Sequence, residues 1–231
     1  MRKLFNRIFG ISFFAFCIVA YLIILPLLCQ GYELYKDAKN SVDLDEMVVK
    51  IKNDESFISI EDIPSEYIDE LLISEDKRFY RHLGVDMFAI TRAAYNDIKL
   101  GYFAQGGSTI TQQLAKNIYF SFEKTYVRKI AELFMAFDIE RKFTKNEILE
   151  LYVNISYFGE NCYGLREASA HYFGLHPKDL NQIQRAALIW TIKSPNNYNP
   201  NVFDPERLKD TILKKLNVSL RNEYITSLCM N

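Results

Sequence analysis

Histidine and cysteine are scarce in this chain of 231 residues, which contains three histidines and four cysteines. The cysteines lie at positions 17, 29, 162 and 229, without the paired spacing of a metal site or a redox motif. Structural zinc sites take four Cys or His ligands, so these scattered residues argue against zinc. A disulfide between Cys162 and Cys229 stays open, although nothing in the sequence argues for it.

The chain also lacks an excess of either charge, because 28 Lys and Arg residues stand against 29 Asp and Glu residues. Proteins that bind nucleic acid normally carry a basic patch or stripe. The near-neutral balance gives no electrostatic case for nucleic acid, and we expect none among the partners.

Alternating strand patterns are nearly absent, whereas apolar residues recur at helical spacing over much of the chain. The expected fold class is therefore mainly α. Helical periodicity predicts helices over residues 64–73, 108–119, 127–142, 145–157, 167–173, 180–192 and 206–216.

Charged residues are missing altogether between Arg7 and Glu33, where residues 11–29 read ISFFAFCIVAYLIILPLLC. A transmembrane helix needs roughly 20 apolar residues. A cleaved signal peptide has a shorter apolar stretch of about 7–15 residues and a small-residue cleavage site. This run is longer and has no A-x-A site, so it predicts a retained membrane anchor.

Basic residues precede the anchor, while charges of both signs follow it. The positive-inside tendency then places the N-terminus in the cytoplasm and the rest of the chain outside, as a single-pass membrane protein. We expect three parts: a cytoplasmic tip and anchor (1–30), a polar connector (31–58) and one extramembrane domain (59–231).

Three segments carry more polar residues than a plain core helix needs: residues 74–86, 106–117 and 128–132. On a helix, Thr109, Gln113 and Lys116 would share one face, which suits a phosphate or a sugar better than a core. Arg128 and Glu132 are four apart and can pair. Taken singly, each segment also fits a bland role, such as a helix start capped by Ser108 or a surface salt bridge.

In their order and residue sequences, these segments resemble the motifs of the penicillin-binding-protein type of peptidoglycan glycosyltransferase (glycosyltransferase family 51). The resemblance covers residues 60–200. It is strongest to the monofunctional branch of the family, whose members have one transmembrane helix. It implies a lysozyme-like α-helical glycosyltransferase domain on a single-pass protein of the bacterial cytoplasmic (inner) membrane. The motifs are EDKRFYRHLGVD, GGSTITQQLAKN, RKIAE, RKFTKNEILELYVNISYFG and YGLREASAHYFG.

Enzymes of this family join lipid-linked disaccharides. The growing chain leaves as a lipid diphosphate, and the 4-hydroxyl of lipid II attacks with inversion to a β-1,4 bond. Since a diphosphate is a good leaving group, the site needs one base and several cations. The resemblance implies that Glu75 is the base and that Glu132 is a second catalytic glutamate near the diphosphate.

The resemblance also implies which residues contact the substrate. Lys116 and Arg128 suit the phosphates, and hydroxyl and amide groups suit the sugar or phosphate oxygens. The full set of expected binding residues is Asp76, Phe79, His82, Ser108, Thr109, Gln113, Lys116, Arg128, Lys129 and Asn154.

We expect no required cofactor. A divalent cation, Mg²⁺ or Mn²⁺, is optional near the diphosphate, although no dedicated ligand spacing is visible. The expected partners are lipid II, the lipid-linked glycan chain, the membrane, and cell-wall synthesis or division proteins.

In the family, the region matching residues 85–105 forms a lobe that dips into the membrane surface, while an ordinary core helix fits the same pattern. One departure is that residues 207–210 replace the Arg-Arg pair of the family's last helix.

Two other functions remain open. A lytic transglycosylase or muramidase would also use a glutamate in a helical cleft, but it needs a general acid for a poor leaving group. A non-catalytic anchor protein of a wall-synthesis complex would need neither Glu75 nor Glu132.

Overall fold

Nine α-helices make up most of the described chain in a computed structural model, which describes residues 2–100, 106–120 and 125–202. No β-strand occurs within these ranges, and one isolated antiparallel bridge joins Tyr157 to Tyr163. The prediction of a mainly α class is confirmed. The helices are α1 (Arg2–Ser41), α2 (Leu44–Lys52), α3 (Ser65–Glu75), α4 (Met87–Leu100), α5 (Ile110–Tyr119), α6 (Tyr126–Lys142), α7 (Lys145–Ile155), α8 (Leu165–Phe173) and α9 (Gln182–Lys193).

Capping boxes begin three of these helices. In α5, α7 and α9, an N-cap side chain accepts from the third backbone N–H, and the residue at that third position bonds back to the cap. Thr109, rather than Ser108, is the N-cap of α5, so this helix begins later than its sequence pattern indicated. The predicted helix at 206–216, residues 207–210 and Cys229 lie outside the described residues.

Helices α5, α6 and α7 form the centre of the domain. Leu114, Ile139, Ile148 and Tyr152 are fully buried between them. Burying such side chains stabilises a fold by about 1.5–3 kcal/mol each. Helix α3 packs on α9, and α8 contacts both α7 and α9. This arrangement brings the ends of α3 and α9 to the side chains of α5.

The N-terminal helix confirms the prediction of an apolar segment, since Ser12–Ser41 is long and apolar enough to cross a membrane by length and composition. Helix α1 continues to Ser41 and packs against α6, and α2 then contacts α7. The segment 31–58, which we expected to be a polar connector, is therefore largely helical and docked on the domain.

A tight loop joins α7 to α8 through two glycines with positive φ. At Gly164 (φ +84°), a Cβ would lie 2.6 Å from the carbonyl oxygen of Asn154. At Gly159 (φ +88°), it would lie 2.5 Å from the carbonyl oxygen of Pro195. Only glycine combines this backbone conformation with such close approach. The loop thereby seats the chain that follows α9 against the end of α7.

Candidate active site

Glu75 is the last residue of α3, and its side chain is only 10% exposed. The amide Nε2 of Gln113 donates a hydrogen bond to Glu75 Oε2 over 3.1 Å. The other oxygen, Oε1, lies 3.3 Å from the Ser74 hydroxyl and 3.7 Å from Lys193 Nζ. Glu75 is thus held in one orientation, and a small part of its side chain still reaches solvent.

The orientation of Gln113 is fixed from the other side. The hydroxyl of Tyr152 on α7 donates to Gln113 Oε1 over 3.0 Å. Burial raises the pKa of Tyr152 well above its ordinary value of 10, so the hydroxyl stays a donor. Because the Gln113 oxygen accepts from Tyr152, its NH₂ group points at Glu75.

Lys193 is a site residue that the sequence analysis missed. It ends α9, and its Nζ approaches both Glu75 Oε1 and, over 3.5 Å, the carbonyl oxygen of Ser74. The same ammonium lies 5.4 Å from the centre of the Trp190 ring. A lysine in the last turn is ordinary for a helix, so the local pattern gave no signal for its position beside Glu75.

Glu132 is buried within α6, with 1% of its surface exposed. Arg128 Nε lies 2.9 Å from Glu132 Oε1, and Lys129 Nζ lies 2.8 Å from Oε2. Lys129 also donates to the hydroxyl of Ser108 over 2.7 Å. A buried carboxylate is stable only when it is paired in this way. The predicted Arg128–Glu132 pair is therefore present in the structure.

Lys116 lies half-buried on α5, near these groups. Burial is the main cause that lowers its pKa, and the positive charges of Arg128 and Lys129 lower it further, against attraction by Glu132 and Glu75. Lys116, Arg128 and Lys129 together hold three positive charges against the one buried carboxylate of Glu132. We call these four residues the cation cluster. Its net positive charge suits an anion.

Three of the predicted binding residues hold the first two motifs together. Asp76 Oδ2 accepts from the backbone N–H of Ile110 over 3.0 Å and lies 2.9 Å from His82 Nε2. Thr109 donates to the carbonyl oxygen of Gly84 over 2.6 Å. Asp76, His82 and Thr109 are all buried. These bonds place the end of α3 beside the start of α5, and direct substrate contact by these residues stays a prediction.

Phe79 and Asn154 have other surroundings. Phe79 is buried, with Lys145 Nζ 4.4 Å from the centre of its ring. The Asn154 amide exchanges 2.8 Å hydrogen bonds with the backbone N–H and C=O of Ile58 and donates to the carbonyl oxygen of Glu150. These bonds tie α7 to the segment before α3. A binding role for Phe79 and Asn154 stays a prediction.

Comparison with known proteins assigns the chain to a family. The family profile described as Transglycosylase matches residues 43–221. The chain belongs to the transglycosylase family. The resemblance to the peptidoglycan glycosyltransferases is thereby confirmed, and the matched residues contain the whole constellation of Glu75, Gln113, Lys193 and the cation cluster.

Several curated penicillin-binding proteins are similar to this transglycosylase. Penicillin-binding protein 1F of Bacillus subtilis is 43% identical over 163 residues, which are 69% of this chain and 23% of that protein. Penicillin-binding protein 1A of Neisseria gonorrhoeae is 37% identical over 240 residues, or 98% of this chain and 30% of that protein. The transglycosylase chain thus spans less than a third of the length of these relatives.

Metal ligands are not gathered in the described part of the transglycosylase. Among residues 2–100, 106–120 and 125–202, no group of three His, Cys, Asp or Glu side chains could hold a metal ion. Both oxygens of Glu132 already face cations. The optional divalent cation stays an expectation.

Proposed function

We propose that this transglycosylase polymerises peptidoglycan glycan strands at the membrane surface. It transfers the lipid-diphosphate-linked growing chain to the 4-hydroxyl of lipid II, with inversion to a β-1,4 linkage. The observation that carries the proposal is that one oriented, nearly buried carboxylate, Glu75, lies close enough to the cation cluster for Lys116 to feel the charges of both Glu75 and Glu132.

Glu75 acts as the general base. Gln113 fixes the carboxylate of Glu75 in place. The low exposure of Glu75 keeps bulk water from taking the place of the acceptor hydroxyl. As the 4-oxygen attacks the anomeric carbon, Glu75 takes the hydroxyl proton. The bond between that carbon and the phosphate oxygen breaks, and its electron pair leaves with the lipid diphosphate. Attack from the opposite side inverts the anomeric centre.

The cation cluster receives the charge that develops on the departing diphosphate. Lys116, Arg128 and Lys129 carry fixed positive charges that need no reorganisation during the reaction. Glu132 contacts two of them through both carboxylate oxygens, so it holds Arg128 and Lys129 in place. We assign Glu132 this electrostatic task rather than proton transfer, because its two oxygens are already engaged.

The substrate is a lipid, and two apolar surfaces suit a membrane. Helix α1 supplies the anchor, with the N-terminus in the cytoplasm and the domain outside. Around α4, large apolar side chains face solvent instead of the core, which favours insertion into the membrane surface over an ordinary core helix. The most exposed are Leu83, Met87, Phe88, Tyr95 and Ile98.

The cation cluster also favours synthesis of glycan over its cleavage. In a lytic enzyme the leaving group is the 4-hydroxyl of the neighbouring sugar, which carries no phosphate charge for three cations to stabilise. A non-catalytic anchor would not need a glutamate oriented by the Tyr152–Gln113 chain. Both alternatives account for less of the observed geometry than a diphosphate-dependent polymerase does.

The test is incubation of the full chain with purified lipid-linked disaccharide, with and without a phosphoglycolipid inhibitor of the moenomycin type. We expect polymer that disappears with the inhibitor. Preformed peptidoglycan is the comparison substrate. Shortened glycan from that substrate, without polymer from the lipid-linked one, would establish the lytic alternative instead.

A further inference from the structure

Helix α1 is joined to α6 by a close and ordered contact beyond its apolar run. Gly31 lies against Ile130, and the rings of Tyr32 and Tyr35 lie 5.3 and 5.6 Å from the ring of Phe134. Farther along, Lys39 Nζ lies 2.6 Å from Asp138 Oδ2, and the Tyr35 hydroxyl bonds the same oxygen. We call this contact the α1–α6 seam, formed by Gly31, Tyr32, Tyr35 and Lys39 with Ile130, Phe134 and Asp138.

The seam depends on a glycine at its membrane-side end. A Cβ at Gly31 would lie 2.4 Å from Ile130 Cγ2 and 3.1 Å from the carbonyl oxygen of Val127. The first distance is shorter than any real Cβ contact, and the second is a tight contact with a backbone atom. Gly31 therefore lets the two helices approach more closely than any other residue would.

The two helices run in the same direction, since later residues of α1 meet later residues of α6. The apolar residues 11–29 span about 28 Å as a helix, close to the ~30 Å hydrocarbon core of a bilayer. Gly31 lies about 3 Å beyond them at 1.5 Å per residue. Its contact with Ile130 sets Arg128, Lys129 and Glu132 within about one helical turn of that level. This is the depth of lipid head groups.

We propose that the α1–α6 seam sets the height of the cation cluster above the bilayer, which makes Gly31, Tyr35 and Lys39 positioning residues for a membrane-bound diphosphate. This inference rests on the proposed function. The cluster and the seam lie on one helix, α6, so a shift of α1 along or away from α6 moves Arg128, Lys129 and Glu132 relative to the head groups. A misplacement of about 1 Å can cost up to about 10²-fold in rate.

The deciding comparison uses the full chain in liposomes and the same substitution at two glycines of α1. Gly31→Ala places a methyl group inside the seam, whereas a Cβ at Gly10 meets nothing within 4 Å. We expect Gly31→Ala to lower polymerisation of a long-chain lipid-linked substrate in the bilayer at least about tenfold. With a short-chain, water-soluble substrate in detergent, we expect less than a twofold loss. Gly10→Ala should match the wild type in both assays.

The height of the site above the bilayer can also be measured without any enzyme activity. Trp190 is the single tryptophan of the chain and lies beside Lys193 in the site. Energy transfer from Trp190 to dansyl-labelled lipid head groups should change in Gly31→Ala and stay constant in Gly10→Ala. Tyr35→Phe, which removes one bond of the seam and adds no bulk, should give the same changes in a weaker form.

The outcomes separate the two proposals. Wild-type rates in the bilayer with unchanged energy transfer in Gly31→Ala would overturn the role of the seam. Equal losses in bilayer and detergent would overturn it as well, because they would report damage to the site itself. If the wild type makes no polymer in either assay, the proposed function fails, while the energy transfer still shows whether the seam sets the height.

Discussion

The side-chain amide of Gln113 donates to Glu75 Oε2 over 3.1 Å. Because its oxygen accepts from Tyr152, the amide cannot turn around without losing both bonds. A residue on α7 thereby controls the carboxylate at the end of α3 through one residue on α5. The relationship separates the base itself from the residues that aim it, and each can be tested alone.

Replacement of the base is the most direct test. Glu75→Gln keeps the shape of the side chain and removes its ability to accept a proton. We expect polymerisation to fall by about 10²–10⁴-fold, the usual contribution of general base catalysis. The melting temperature should stay close to that of the wild type. A folded Glu75→Gln protein with normal initial rates on the lipid-linked substrate would remove Glu75 from this role.

Substitutions at two buried tyrosines test how the Glu75 carboxylate is oriented. Tyr152→Phe leaves the Gln113 oxygen without its donor, which should cost about 1 kcal/mol of stability. It should also lower the rate several-fold, by less than Glu75→Gln does. Tyr67→Phe is the matched control, since Tyr67 is equally buried and its hydroxyl has no hydrogen-bond partner among the described residues. Equal rates for the two variants would argue against the Tyr152–Gln113 chain.

The helices of this domain could be predicted from the sequence because their signals are local. Apolar spacing and capping residues lie within a few positions of the helix they start, as the Thr144–Glu147 box of α7 does. The Arg128–Glu132 pair was predictable for the same reason, being four residues apart on one helix.

The rest of the site depends on contacts between distant residues. Lys193 lies 119 positions after Ser74 in the sequence but contacts the end of α3. No local sequence pattern near either residue predicts this contact. Thr109 seemed to share a binding face with Gln113, but its hydroxyl is used to cap α5 and to bond Gly84. The docking of α1 on α6 was equally hidden, since residues 31–41 have the composition of a polar connector.

Glu132 should behave differently from Glu75 when it is neutralised. Glu132→Gln leaves Arg128 and Lys129 without their shared negative partner, and loss of such charged bonds costs about 1.5–3 kcal/mol. We expect a lower melting temperature, a lower rate and weaker binding of the phosphoglycolipid inhibitor, since both cations lose their fixed positions. Glu75→Gln should keep inhibitor affinity. Titration of the inhibitor against both variants checks the distinction, and equal affinities would contradict it.

Lys116 is the residue for which activity and stability should move in opposite directions. Burial lowers its pKa, so the folded protein binds this proton less readily than the unfolded chain. Lys116→Met should therefore keep or raise the melting temperature at pH 7, while the rate falls about 10²–10³-fold for loss of one electrostatic donor. Lys142→Met, at an exposed ion pair with Asp45, is the control and should change neither.

The same residue predicts a pH dependence of stability. At neutral pH, Lys116 is charged in both the folded and unfolded chain, so the cost of burying its charge is fully present. As pH rises through the lowered pKa towards 10.5, the folded protein loses the proton first and the cost disappears. The stability gain of Lys116→Met over the wild type should thus be largest near pH 7 and shrink near pH 10. Melting temperatures of both proteins at the two pH values measure this difference, and a gain that grows with pH would show that the buried charge is not destabilising.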